Sequence, residues 1–500
     1  MYYKKWEKQT KLKNVNREAS IQETEQQNST DENEEPTFEE VMKLFNDCDD
    51  LEHKTFSELG TDLIYFSPLV DDKKVEDEII NSIYSSTTEE IKNWVKKKDI
   101  PEATSMKDIK DEILSGSVAI FFENKTYYYN VYGPEIRGID KSETETVIVG
   151  AHDAFVEDIT TNLSLVRRRV KSSNLKAIKL KVGEVTKTDV YVLYIDGIAD
   201  SGMVSEMKER ISKIEVDSVY DTNMLAQLID EVPDSLFPQY FSTELPDVVR
   251  SKLVSGKMVV LLDTSPIAIS APSSFFEFIQ SPDDYNQRWL LGTGLRILRA
   301  VAIFITLSFT AMYVAVISFH YEVLPEDLLI TLAESRARVP FPPLIEALLM
   351  EVTIELLREA GARLPTKIGQ TIGIVGGIVI GQAAVEAGLT SNILIIAVAS
   401  SAIASFVLPN YNMSSSIRIV RFFLIILAGF SGIFGIVFGI ALIAIHLASL
   451  TSLKTPYLIP MSPFYWKDWV DTFIRGPYWA MKHRPTQTKT DNNEVNKMKQ

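Results

Sequence analysis

The chain has 500 residues, 24% of them charged, a net charge of −16, a mean hydropathy of +0.03 and one cysteine, Cys48. A single cysteine excludes a disulfide framework and a Cys-rich zinc or iron–sulfur site. From Leu291 onward 17 Lys and Arg stand against 13 Asp and Glu, whereas residues 1–290 hold 34 against 54; that acidic first half excludes nucleic acid as its partner, and the contrast reads as a soluble domain followed by a membrane domain.

Residues 1–37 are polar, with EQQNSTDENEEP typical, and read as a disordered tail that cannot bury enough apolar surface to offset its chain entropy. They hold no apolar core of signal-peptide length. That implies a domain ahead of the first span that stays in the cytoplasm. The pattern then predicts a cytoplasmic N-terminal α/β domain of two related units, 38–140 with a helical start and 141–290. Two segments share one plan, LSGSVAIFFENKTYYYNVYGP (Leu114–Pro134) and VSGKMVVLLDTSPIAISAP (Val254–Pro272): Ser-Gly, apolar strand, polar turn, second strand. Helices at Ser105–Ile113 and Leu245–Leu253 are predicted ahead of the two Ser-Gly pairs, which lie 140 positions apart. Between them fall strands at Thr146–Val149, Ala177–Lys181 and Val190–Tyr194, and helices at Asp153–Val170, Gly202–Ile214 and Asn223–Glu231. Alternating strand and helix argues for the α/β class.

No Walker A, HExxH or GxSxG string occurs, and His53 and His152 lack partners at ligand spacing. The expectation is therefore no enzyme, no metal and no cofactor. One helix stands out, FVEDITTNLSLVRRRV (Phe155–Val170). Phe155, Ile159, Leu163, Val166 and Val170 make one face, and Arg167, Arg168 and Arg169 crowd the last turn. Those cations either complement the helix dipole, by about 0.3–1 kcal/mol each, or offer a contact to an acidic partner surface or to lipid headgroups.

The second half predicts an all-α polytopic membrane domain, 291–466, with about four transmembrane helices and an amphipathic helix, then a polar C-terminal tail, 467–500. Ala300–Phe319 is twenty residues without charge, about 30 Å of helix and one hydrocarbon thickness. Further spans are expected near 368–385, 392–408 and 422–445. Between the first two lies LIEALLMEVTIELLREA, an amphipathic helix near 344–360 with Glu351, Glu355 and Glu359 at every fourth position. That acidic stripe reads as a helix lying in the interface or on the bundle, or as a carboxylate-lined vestibule that concentrates cations. In the second span Gly369, Gly373, Gly377 and Gly381 recur every four residues, a groove for close helix packing or for a mobile, pore-lining helix. Glu386 follows near the helix end, where snorkelling to the interface is the default and ion passage the alternative. Gly429, Gly432, Gly435 and Gly439 repeat the theme in the fourth span, and His320 and His446 mark span edges. Cations flanking the first and last spans favour both termini in the cytoplasm.

At this point the chain resembles the A subunits of the GerA-type spore germinant receptors of endospore-forming bacteria, over roughly Glu40–Phe464. The resemblance rests on FVEDITTNLSLVRRRV, YIDGIAD, SFFEFIQSPDDYNQRW, PFPPLIEALLMEVTIELLREAGARLP, IGQTIGIVGGIVIGQAAVEAG and TPYLIPMSPF. One turn departs: Gly150-Ala151-His152-Asp153 stands where the family reads Gly-Pro-Arg-Glu-like. The resemblance implies a subunit of the spore inner membrane, its soluble domain facing the core. It implies assembly with a transporter-like B subunit that recognises the nutrient and with a lipoprotein C subunit. It further implies a homo-oligomer acting as a ligand-gated cation channel or, alternatively, a scaffold coupling the B subunit to a separate channel.

Overall fold

The computed structural model describes residues 35–84, 86–133, 142, 145, 147–365, 376–377, 379–490 and 492–495. The chain divides into two bodies. The first holds residues up to 140 with 153–222 and 246–268; the second holds 141–152, 223–245 and 269–500. The expected boundary at 140/141 is thereby replaced, because three short segments of the sequence-defined second unit pack with the apolar helices instead.

In the first body α1 (Phe38–Leu44) starts at Thr37, whose side chain accepts from the Glu40 N–H. Strands β1 (Leu51–Phe56) and β2 (Thr61–Phe66) follow, then helices α2 (Thr88–Lys97) and α3 (Met106–Ile113), and the hairpin β3 (Ser117–Phe122) and β4 (Lys125–Asn130). The first sheet has the order β1-β2-β3-β4 and is antiparallel throughout. After α4 (Ile159–Arg169) the plan repeats in chain order: β5 (Leu175–Val182), β6 (Thr188–Ile195), α5 (Ser201–Ser212), α6 (Thr222–Ile229), β7 (Phe241–Thr243), α7 (Pro246–Val254), β8 (Met258–Leu262) and β9 (Ala268–Ala271); of these, α6 after Thr222, β7 and β9 after Ala268 count with the second body. β5 pairs antiparallel with β6, and β6 with β8. The mixed helix–sheet class holds; the pairs β1-β2, β3-β4 and β5-β6 are antiparallel because short hairpin connections can join only antiparallel strands.

The duplication is visible in the backbone. Gly116 and Gly256 each close a helix end on the carbonyl of Ile113 and Leu253, at φ +91° and +88°, a conformation that favours glycine. The repeat is larger than its sequence trace, because β1-β2 and β5-β6 precede the two Ser-Gly units in equivalent order. The predicted strand at Thr146–Val149 is absent among its described residues: the N–H groups of Ile148 and Val149 donate to the Asp283 carboxylate.

The second body is mainly helical: α8 (Trp289–Phe319), α9 (Glu326–Arg336), α10 (Pro343–Arg363), α11 (379–386), α12 (Asn392–Ser405) and α13 (Tyr411–Ser449). α8 and α13 are long and apolar enough to cross a membrane, at mean hydropathies of 2.3 and 2.5. α8 contains the expected span at 300–319. α12 has 14 residues where a span 392–408 was expected; about 21 Å of helix falls short of a hydrocarbon thickness.

α13 is a hairpin. Gly432 has φ +61° and ψ −140° within it. A Cβ on Gly435 would strike the Leu427 carbonyl, and one on Gly439 would lie 2.5 Å from Leu424 Cδ2. In one continuous helix these pairs would be separated by about 12 and 22 Å. The apolar run 422–445, read as one span, is therefore two arms, 411–431 and 433–449, about 31 and 25 Å long. Glycines at 435 and 439 let the arms touch. Both ends of the hairpin bond one segment: Asn412 to Asn223 and Ser242, and His446 to Ser235. The turn lies at the far end of α8, where Gly432 abuts the His320 ring.

The tail expected at 467–500 is ordered over most of its length. Trp466–Asp468 and Trp469–Thr472 are helical turns, and Arg475 is buried. The tail expected at 1–37 lies largely outside the described residues.

Candidate functional site

The densest polar feature inside the helical body lies where α8, α10, α12 and the first arm of α13 meet. Glu351 and Arg421 are both fully buried, with Arg421 Nη2 2.7 Å from Glu351 Oε2. Thr310 on α8 donates its hydroxyl to Glu351 Oε1 at 2.7 Å. Arg421 Nη1 donates to Ser401 Oγ at 3.0 Å, and Ser401 in turn donates to the Thr306 carbonyl at 3.1 Å. One helical turn away Arg418 Nε donates to Glu355 Oε1 at 2.9 Å, and Arg358 Nη2 donates to Ser405 Oγ at 2.9 Å. Glu346, also buried, accepts from the Ser391 N–H at 2.6 Å and from Thr390 Oγ1, and lies 3.7 Å from Arg336.

Position in the helices makes this cluster unusual. Arg421 lies ten residues into an arm of 21, about 15 Å from its start, and Glu351 is the ninth of 21 residues in α10. Ionised groups at such a depth in an apolar bundle persist only when paired. Two carboxylates, Glu351 and Glu355, face three guanidiniums, Arg358, Arg418 and Arg421, so the cluster is cationic by one charge. A cationic centre repels cations. Glu351 and Glu355 are thus ion-paired to a neighbouring helix, which accords with the expectation of a helix packed on the bundle rather than with an open carboxylate-lined vestibule. Glu359 stands apart, exposed and paired with Arg363 four residues on, at 2.5 Å.

The glycine stripe resolves unevenly. Gly369 and Gly373 lie outside the described residues. A Cβ on Gly377 or Gly381 would meet nothing within 4 Å, whereas one on Gly376 would lie 3.0 Å from Leu357 Cδ2. Contact with α10 therefore passes through Gly376 among the described residues, and the groove at 377 and 381 is unfilled by any of them. Glu386 is exposed at the end of α11.

The three arginines of α4 part company. Arg167 is 2% exposed and makes two 2.6 Å bonds to Asp50, a third to the Leu175 carbonyl at 3.1 Å, and stacks over Phe66. Arg169 pairs with Asp153 and Asp247. Both are internal links of the first body and cannot serve a partner or lipid. Arg168 alone is exposed, at the rim of a pocket with Lys171, Ser115 and Tyr132.

A second polar cluster brackets the base of α8. Asp284, fully buried, accepts two 2.8 Å contacts from Arg299 Nη1 and one at 3.3 Å from Arg296 Nε. The Tyr285 hydroxyl donates to Asp471 at 2.9 Å, and Arg296 Nη1 reaches the Asp471 carbonyl. Burial, and next the Asp471 carboxylate, push the Tyr285 phenol well above its ordinary value. A Cβ on Gly292 would lie 2.6 Å from the Asp284 carbonyl, so α8 can start here only with glycine. These bonds hold the segment after α13 against the segment before α8.

Neither cluster was legible as a cluster. Thr310, Arg418, Arg421 and Glu346 carried no functional mark in the sequence. The available signal was a pair of arginines inside an apolar run, which demands carboxylates elsewhere.

An antiparallel α/β body joined to a helical body with apolar helices and buried charge pairs defines the class. Within it, the chain belongs to the Bacillus/Clostridium GerA spore germination protein family, whose description matches residues 39–487. It is 43% identical over 427 residues to spore germination protein GerQA of Bacillus cereus, covering 84% of this chain and 86% of that protein. Spore germination protein A1 of Bacillus subtilis (strain 168) is 40% identical over 86% of this chain and 91% of its own length. The uncharacterized membrane protein YfkQ of the same strain is 37% identical over 90% of both chains. Among solved structures, the N-terminal domain of the A subunit of the Bacillus megaterium spore germinant receptor GerK3 matches 47% of this chain and 92% of that chain at 26% identity, with a TM-score of 0.37.

Proposed function

We propose that the chain is the A subunit of a nutrient germinant receptor in the spore inner membrane, acting in germination as an oligomeric, ligand-gated cation channel. A transporter-like B subunit recognises the nutrient, a lipoprotein C subunit completes the assembly, and both termini face the core. The role is conduction and coupling, with no enzymatic step.

The observation that carries this reading is the buried pair Glu351–Arg421 with its neighbour Glu355–Arg418. Together they fasten α10 to the first arm of α13. Sliding these helices apart would leave charges unpaired in apolar surroundings, and removing one partner of a buried pair costs about 3–5 kcal/mol. Converting a two-state element from almost fully closed to almost fully open requires about 5.5 kcal/mol of differential binding. The two magnitudes match, which suits a latch that a bound nutrient can release. Because the latch is cationic, the conducting path runs beside it, and the unfilled groove at Gly377 and Gly381 is a surface that a second copy would cover. The bonds between the segments flanking α8 and α13 support an even number of crossings and termini on one side.

Planar-bilayer recording of the purified chain, with and without B and C subunits, tests the channel. Discrete cation-selective events are expected, and Glu351→Gln should raise the open fraction without nutrient. A silent bilayer with folded chain and partners present would transfer the function to a scaffold that couples the B subunit to another channel.

A further inference from the structure

The end of the expected membrane domain and the start of the expected polar tail together present a plate of aromatic side chains. Phe464, Trp466 and Trp469 pack with ring centroids 5.1–5.3 Å apart, and Phe473 joins Trp469 at 4.8 Å. Their outer faces are open: Trp466 is 70% and Phe464 57% exposed, and Met461, Ile474, Tyr478 and Trp479 are exposed beside them. Large exposed aromatic patches mark a surface that something covers.

The plate is built into the base of α8. Thr293 Oγ1 donates to the Arg475 carbonyl at 3.2 Å, and Tyr478 donates its hydroxyl to the Tyr285 carbonyl at 2.6 Å. Gln280 Nε2 donates to the Asp471 carbonyl at 2.9 Å. Thr293 and Arg296 stand about 10 and 6 Å along the helix before Ala300, where the uncharged run starts. The headgroup layer outside the hydrocarbon is about 5–8 Å thick on each side. The plate's attachment points thus run from within that layer, at Arg296, to its outer edge, at Thr293. The first turns of α8, to which the plate is bonded, also expose apolar side chains at Leu290, Leu291, Ile297 and Leu298.

Charge points the same way. Arg288, Lys467 and Lys482 are exposed around the aromatics. The nearby acids are engaged within the chain: Asp468 accepts from Thr486, and Asp471 from Tyr285. Trp and Tyr with an apolar body and a polar edge suit the membrane–water boundary, and cations there favour anionic lipid.

We propose that residues 461–479 and the first turn of α8 form an interfacial belt that seats in the headgroup layer of an anionic membrane. The belt fixes the depth at which α8 enters the bilayer, independently of any conduction. The proposal rests on the membrane reading of α8, and its test separates the two.

The full chain is placed in nanodiscs of phosphatidylglycerol and phosphatidylcholine carrying bromine either near the headgroup or deep in the acyl chain. Fluorescence of Trp466 is isolated as the difference between the native chain and Trp466→Phe. Phe304→Trp supplies a reporter on the lipid-facing side of α8, where Phe304 is exposed. Shallow bromine should quench Trp466 more than deep bromine, with the reverse order at position 304. Lys467→Gln should lower the ratio of lipid-seated to water-exposed Trp466 by about fivefold, the effect of one cation near an anionic surface. If position 304 is quenched while Trp466 stays open only to aqueous iodide, the belt is overturned and the plate belongs to a protein partner. If neither is quenched, the membrane reading of α8 falls and the belt with it.

Discussion

Arg167, Arg168 and Arg169 are adjacent and chemically alike, yet tertiary context gives each a different task. Arg167 is a buried link to Asp50 across 117 positions, Arg169 a partly buried link to two aspartates, and Arg168 a surface cation. Removing Asp50 leaves Arg167 buried and unpaired. Asp50→Ala should therefore destabilise the first body by about 3–5 kcal/mol, whereas Arg168→Glu should change stability by less than about 0.5 kcal/mol. Thermal unfolding of the full chain in nanodiscs compares the two, and equal shifts would contradict the assignment. Tyr285 gives a prediction in pH. Its phenol is raised in the folded state, so above the ordinary phenol value of about 10 the folded chain binds the proton more tightly than the unfolded chain. Stability from this group is present below that value and lost as pH rises toward the folded value. Tyr285→Phe should flatten the alkaline decline; an unchanged slope would show that Tyr285 does not contribute to it.

At the scale of elements, glycine is the decisive residue type, for reasons that spacing alone does not separate. The strict four-residue repeat drew attention to Gly377 and Gly381, where an added Cβ would meet nothing within 4 Å among the described residues. The looser set at 432, 435 and 439 makes a chain reversal inside what reads as one span. Only Gly432, at φ +61° and against His320, requires glycine for backbone conformation. Gly435 and Gly439 are required by the opposite arm. Hydropathy could not disclose the turn, because its flanks, Phe430 and Phe434, are as apolar as the arms. A direct check uses Leu424→Cys with Gly439→Cys in a Cys48→Ser chain. The two thiols should cross-link on oxidation, since a disulfide requires Cα atoms within about 7 Å. A continuous helix would hold them about 22 Å apart and give no cross-link.

For the whole molecule, the division of labour between the two halves was plain in composition, but the line between them was misplaced. Segments 141–152, 223–245 and 269–290 belong with the helical body. They cap it: Asn223, Ser235 and Ser242 meet the two ends of the hairpin, and Asp284 anchors the base of α8. This collar bonds α13 directly, and Arg418 and Arg421 of α13 bond α10 in turn. The bilayer recording belongs at this scale. Its Glu351→Gln arm asks whether loosening one buried pair biases the assembled receptor rather than one helix.

The amino-acid sequence by itself determined the acidic and apolar halves, the repeated Ser-Gly unit, the C-terminal limit of α8, the position of α10 and, through long specific strings, the family. Each of these is a local property, a sum over neighbouring residues or a motif of fixed spacing. Tertiary structure alone decided that the acidic stripe of α10 faces arginines, that the last apolar run doubles back, and that the C-terminal segment returns to the base of α8. The ion pairs and the C-terminal return depend on partners 60 to 190 positions distant, such as Glu355 with Arg418 and Tyr285 with Asp471, and the reversal on contacts between two arms that hydropathy reads as one. A buried charge demands a counter-charge but does not specify where in the chain it lies.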